Sequence, residues 1–328
     1  MRCLKQSPAL GMSVCYAVLA LMTGCHKKNE EPVVDRPLLT QGVTLQDVRF
    51  HSAALNRDMQ YRVVARVRVA GGSKLPVVYL LHGADGNFRD WTNYSDVARF
   101  AKHGLILIMP QGEESYYTNS AEHPQDRYED YIVHDLISDV ESRFPAAPDR
   151  AHRAIIGMSM GGFGAVKLSL HHPELYSFVG GLSSAIDVPN RPFSITRIGQ
   201  WRQHRSIFGP WGGATRRDND PFVLARSADP AKSAYFYLTC GDREGLLPSN
   251  RSFANLLEQR HLPYEFHVVP GGHNWNQWNA RLDDCFASLL KHLGADPTIT
   301  SRFSTFPSPP ISAIIVRAHQ PAQFSNPK

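Results

Sequence analysis

A chain of 328 residues with 42% apolar and 20% charged residues can bury one sizeable core, and it is neither a disordered segment nor a coiled coil as a whole. Its net charge of +5 is accounted for by Arg2 and Lys5 near the start and by Arg302, Arg317 and Lys328 in an acid-free end, so the body is close to neutral and offers no basic nucleic-acid surface. Three of the five cysteines precede residue 26, which leaves Cys240 and Cys285 and rules out a disulfide scaffold, and no apolar run approaches the roughly 20 residues of a spanning helix.

The chain opens on an export signal. Arg2 and Lys5 form a charged start, residues 12–22 an apolar stretch of the usual length, and Leu21-Met22-Thr23-Gly24-Cys25 its end. This end resembles the lipobox of bacterial lipoproteins, with Met22 at the usual leucine position. The resemblance implies a signal peptide over residues 1–24 and lipid attachment at Cys25, the first residue of the mature chain. Diacylation supplies two or more chains, and that makes a membrane anchor stable where one chain is marginal. His26, rather than aspartate, follows the cysteine. That resembles the outer-membrane default of Gram-negative lipoproteins and implies a place in the bacterial cell envelope, facing the periplasm or the exterior. Residues 25–40, with Lys27, Lys28, Glu30, Glu31, Pro32 and Pro37, read as a solvated tether. At the other end, residues 297–328 are rich in proline and serine, lack acids and show no sustained period, the pattern of a disordered tail.

Between them, residues 41–296 alternate strand-like and helix-like segments. Residues 43–53 and 59–69 alternate polar and apolar around Asn56-Arg57, which predicts an antiparallel hairpin. Short apolar runs follow at 77–81, 105–109, 154–156, 178–182, 235–239 and 264–269, as in a parallel sheet covered on both faces. Helices are predicted over 130–144, 161–171 and 249–260. The alternation argues a mostly parallel, doubly wound α/β fold, whose chemistry belongs where strands stop.

One such place is Gly157-Met158-Ser159-Met160-Gly161, between the run ending at Ile156 and a helical pattern. A serine on so tight a turn has its hydroxyl pushed above the sheet edge, beside the N–H groups and positive dipole of a helix start. Such a hydroxyl needs a base. In the chain order serine, acid, histidine, that base is His273 in Gly271-Gly272-His273, after the last strand. His261 and His292 read as surface histidines, and His171-His172, before Pro173, as helix-end capping. The acid follows the preceding strand in Cys240-Gly241-Asp242-Arg243-Glu244, where Asp242 and Glu244 compete on equal terms. Two backbone donors for an oxyanion come from Met160, after the serine, and from Ala84 or Gly83, after the strand ending in His82. His82 itself reads as shaping that loop. No H-E-x-x-H or comparable spacing marks a metal site, and the chemistry needs no metal or organic cofactor.

Together with these, Ser115-Tyr116-Tyr117-Thr118-Asn119-Ser120, Tyr128-Glu129-Asp130-Tyr131-Ile132, Asn250-Arg251, Trp275 and Trp278 make an ordered set over residues 43–293. The set resembles the putative-esterase family of α/β-hydrolases, which holds S-formylglutathione hydrolases, small-ester carboxylesterases, feruloyl and acetylxylan esterases, and antigen-85-type mycolyltransferases. The resemblance implies the α/β-hydrolase fold, with Ser159 as nucleophile, His273 as base and Ala84 as second oxyanion donor. It implies Glu244 as the acid, where most members carry aspartate and the mycolyltransferases glutamate. Tyr116 stands where the family has tryptophan beside the active-site mouth. A serine carboxylesterase acting on a small ester or an ester-decorated polysaccharide is therefore expected. The rival readings are an acyltransferase, a thioesterase of the formylglutathione type, and a surface-anchored binding protein on an inactive hydrolase fold.

Overall fold

The computed structural model describes residues 34–67 and 72–294, so the leader with Cys25 and the tail lie outside the described residues. The chain divides into Met1–Asp35 and Arg36–Lys328, and every strand and helix named below belongs to the second unit.

Eight strands form one sheet: β1 (Val43–Ser52), β2 (Arg57–Arg66), β3 (Val77–Leu81), β4 (Ile106–Pro110), β5 (Arg153–Met158), β6 (Phe178–Leu182), β7 (Tyr235–Gly241) and β8 (Tyr264–Val269). Their order is β1-β2-β4-β3-β5-β6-β7-β8. Strand β2 runs antiparallel to both neighbours and every other pairing is parallel. The expected hairpin is present, with Ser52 opposite Arg57. Asn56 supplies its left-handed residue at φ 49°, a conformation asparagine tolerates, and Arg57 already belongs to β2.

The continuous apolar runs fill the middle of this sheet because both faces are covered. In β3, Val77, Tyr79 and Leu81 enter one core, and Val78 and Leu80 the other, as the two-residue strand period requires. Helices α1 (Met160–His171) and α3 (Leu247–Gln259) give Phe163, Val166, Phe253 and Leu257 to the first core, and α5 (Leu282–His292) gives Phe286 and Leu289 to the second. Helices α2 (Ile198–Phe208), α4 (Trp275–Asn279) and α5 are among those that lie outside the helices expected from periodicity.

The helix expected over 130–144 starts earlier and has mixed geometry. Tyr128–Asp130 leads into a π-helical stretch, Tyr131–Leu136, and then an α-helix, Ile137–Arg143. Tyr131, Ile132 and Val133 are buried in succession along the π-helical stretch.

His172 caps the end of α1 as expected, its N–H donating to Leu168 O at 2.9 Å, but the two histidine side chains do more than cap. Both imidazoles meet Glu129 Oε1, at 2.7 and 2.8 Å, while Lys167 Nζ donates to Glu129 Oε2 at 2.6 Å and to Tyr117 O at 2.8 Å. Burial alone would raise the Glu129 carboxyl; the Lys167 charge and the imidazole donors outweigh it and hold the group well below the usual carboxylate range. The lysine is fully buried, so this pair fastens α1 to the Tyr128–Asp130 turn. Glu129→Ala is expected to lower the unfolding free energy in urea by about 3–5 kcal/mol, the cost of an uncompensated buried ammonium. Adding Lys167→Met should restore most of that loss; a single variant as stable as the parent would deny the pair this role.

Candidate active site

The carboxyl ends of β3, β5, β7 and β8 meet at one place. Ser159 follows β5 and opens α1 at φ 54°, ψ −115°. Its backbone is over-determined: its N–H donates to Leu182 O at 2.9 Å, and its carbonyl accepts from Phe163 N and Ala185 N at 3.1 and 3.0 Å. Two glycines make the turn possible. A Cβ on Gly157 would lie 2.2 Å from the carbonyl carbon and oxygen of Gly161, and one on Gly161 would lie 2.3 Å from Leu81 O.

His273 Nε2 lies 2.8 Å from Ser159 Oγ, and His273 Nδ1 lies 2.7 Å from Glu244 Oε2. The carboxylate only accepts, so Nδ1 carries the proton and Nε2 is left as an acceptor facing the hydroxyl. Glu244 Oε1 accepts from Ser183 Oγ at 2.7 Å and from Gly241 N at 2.8 Å. The Glu244 side chain is 1% exposed, the His273 side chain 38%. Burial works to raise the Glu244 carboxyl, but the donors from His273, Ser183 and Gly241 prevail and keep it below the usual range. Glu244 therefore stays charged against the imidazole it orients.

Asp242, the competing acid, is elsewhere: its Oδ1 accepts from Gly271 N at 3.0 Å. Asp242 thus shapes the loop that carries His273, and Glu244, with its longer side chain, reaches the ring.

Ser183, Trp278 and Gln277 add a layer that sequence reasoning does not assign. Ser183 sits just after β6 with φ 48°, accepts from Trp278 Nε1 at 3.0 Å and donates its own proton to Glu244. The Trp278 ring meets the His273 ring edge-on at 5.1 Å. Position was the available signal, since Ser183 is the first residue past a parallel strand.

The loop after β3 lies against the serine; a Cβ on Gly83 would be 3.5 Å from Ser159 Cβ. His82 shapes this loop as expected. Its Nδ1–H donates to Gly83 O at 2.8 Å, and its Nε2 accepts from Gly112 N at 2.9 Å. Ala84 follows on the exposed side. Met160, first in α1, has an N–H with no partner within the helix. The site thus has an activated hydroxyl, an orienting carboxylate and a helix start beside one another, a set able to attack a carbonyl and hold the charge that develops on its oxygen. Tyr116 is buried at φ 53° among Phe163, His204 and Phe208, with its hydroxyl 3.1 Å from His204 Nε2.

Among the described residues, Glu129, His171 and His172 are the group whose ligand atoms lie within 4.8 Å of one another, as a metal site requires. Lys167 already occupies the second carboxylate oxygen, and its charge opposes a cation there. The group is far apart in sequence, so spacing alone did not reveal it.

A sheet of this order, with a serine, a histidine and a carboxylate at its strand ends, defines an α/β-hydrolase. A family model described as putative esterase matches residues 52–289, more than half of the chain, and the protein belongs to that family of carboxylic ester hydrolases. It is 23% identical over 265 residues to an acetyl esterase of Caldicellulosiruptor saccharolyticus, across 76% of this chain and 99% of the relative. It is 25% identical over 291 residues to the diacylglycerol acyltransferase/mycolyltransferase Ag85A of Mycobacterium gordonae, across 78% of this chain and 83% of the relative. Among solved structures, the fluorophosphonate-binding serine hydrolase FphF of Staphylococcus aureus matches with a TM-score of 0.65 at 22% identity, over 77% of this chain and 99% of its own.

Burial drives the His82 imidazole down to about 4 from an ordinary 6.5. Below pH 6.5 the unfolded chain therefore takes up a proton that the folded one refuses, and stability falls as the pH drops towards 4. This residue alone should cost up to about 3 kcal/mol at pH 4. Urea unfolding across that window should show a shallower slope for His82→Gln; parallel slopes for parent and variant would remove His82 from the explanation.

Proposed function

We propose that this protein is a serine carboxylesterase that works through an acyl-enzyme. Ser159 Oγ attacks the ester carbonyl as His273 Nε2 takes its proton, and the backbone N–H groups of Met160 and Ala84 receive the oxyanion. Collapse breaks the ester bond, and the alcohol leaves with the proton from His273. Water, deprotonated by the same imidazole, then attacks the acyl group, and Ser159 leaves with its proton restored. Glu244 fixes the imidazole tautomer and stabilises the imidazolium without itself taking the proton. The reading is carried by the continuous chain Ser159–His273–Glu244, with links of 2.8 Å across 114 residues and 2.7 Å across 29.

The substrate is a small carboxylic ester or an ester borne on a polysaccharide. An acyltransferase using the same acyl-enzyme is the second reading. It is favoured by likeness to relatives named as acyltransferases, and by glutamate rather than aspartate as the acid. Adding a sugar acceptor separates the two: an acyl-sugar product at the expense of free acid marks the transferase.

The protein acts, in this proposal, at the outer membrane of the cell envelope, held by a lipid on Cys25. Metabolic labelling with a fatty-acid analogue should mark the parent and not Cys25→Ala; an unlabelled parent rejects the anchor.

Ser159→Ala should reduce kcat for a short p-nitrophenyl ester by at least about 10³-fold with the unfolding midpoint unchanged. Glu244→Gln should lose about 10³- to 10⁴-fold, and Asp242→Asn little. Retained turnover in Ser159→Ala would refute the nucleophile, and a greater loss in Asp242→Asn than in Glu244→Gln would refute the acid.

A further inference from the structure

Between Val188 and Arg217 the chain carries six arginines and not one aspartate or glutamate. The body as a whole is close to neutral, so this segment is a local concentration of positive charge. Arg191 and Arg205 are paired, with Asp187 and Glu122, and Arg216 and Arg217 donate to backbone carbonyls. Arg197 and Arg202 are exposed and meet no carboxylate among the described residues.

The same segment exposes large apolar side chains. Phe193 is 56% exposed, Ile195 70%, Ile198 39% and Trp211 63%. Helix α2 sorts its residues accordingly. His204, Ile207 and Phe208 are buried. Ile198, Arg202 and Arg205, spaced four and then three residues apart, share the outer face. The inner side is fastened to the loop after β4: Gln203 Nε2 donates to Glu114 O at 3.2 Å, and Ser120 Oγ to Ser206 O at 2.9 Å. The outer face is therefore held on the body rather than free to fold inward.

Scattered exposed apolar residues need no explanation, but four large ones within residues 193–211, alongside the unneutralised Arg197 and Arg202, do. Apolar side chains that dip below a headgroup layer, with guanidinium groups left at its level, are the features of a helix lying in an anionic membrane surface. We propose that Phe193, Ile195, Ile198 and Trp211, with Arg197 and Arg202, form a docking face for an anionic lipid bilayer. The face lies next to the Glu114–Ser120 segment and would hold that side of the enzyme towards the lipid surface. Its charge complementarity selects the bilayer over a neutral polysaccharide. The proposal stands apart from the serine mechanism and from the Cys25 anchor, because binding is read without turnover and without acylation.

The test is flotation of the full chain carrying Cys25→Ser with vesicles of phosphatidylcholine alone or mixed with phosphatidylglycerol. The leader is common to every variant, so differences between variants read the face. The parent should partition preferentially onto the phosphatidylglycerol vesicles, and added salt should weaken it. Arg197→Glu with Arg202→Glu should reduce that partition by about tenfold or more. Phe193→Ser with Ile195→Ser should weaken it as well. Unchanged hydrolysis of a soluble short ester certifies that each variant is folded; should a double variant fail this, the single changes Arg202→Glu and Ile195→Ser replace it. Equal flotation of parent and variants, or no preference for the anionic lipid, overturns the proposal. Concentration-dependent self-association abolished by the Phe193 and Ile195 changes, without lipid preference, overturns it in favour of a second copy of this chain.

Discussion

The molecule depends on one costly turn. Ser159 holds a backbone conformation that non-glycine residues seldom adopt. It can do so because the neighbouring structure leaves no alternative: Leu182 and Ala185 bind its amide and carbonyl, and Gly157 and Gly161 permit an approach that any side chain would block. The reward is a hydroxyl presented at the end of β5, where the ends of β3, β7 and β8 also stop. Parallel strands all end on the same side, so residues distant in sequence meet there without any long-range loop having to find its partner.

Support for the acid follows the same logic. A carboxylate this deeply buried would tend to take up a proton. Three donors, from Ser183, Gly241 and His273, make the charged form the stable one. Ser183 in turn is fixed by Trp278, whose ring also abuts His273. The orientation of the imidazole therefore rests on a small polar network between β6 and α4, closed to water on its inner side.

Much of this was legible in the sequence, for identifiable reasons. Buried parallel strands write themselves as uninterrupted apolar runs, and six of them lie within a few residues of their expected places. Ser159 and His273 were recoverable because glycine-rich turns mark both. The choice between Asp242 and Glu244 was not recoverable from spacing and came only with the family resemblance, since two carboxylates two residues apart differ only in reach, and reach is a property of the folded loop. The Glu129 cluster was illegible because its partners are some forty residues away on another element. Helix α2 escaped because its inner face is partly polar, bonding through Gln203 and His204 to the loop beneath, so its apolar period is weak.

The order of the strands has a consequence for synthesis. In the proposed mechanism the nucleophile is laid down near the middle of the chain, but its carboxylate comes only after β7 and its imidazole only after β8. A nascent polypeptide that has emerged as far as α3 holds a serine with no base to activate it. On that mechanism competence arrives only with the loop after the final strand, and a prematurely terminated product would carry the serine without its base.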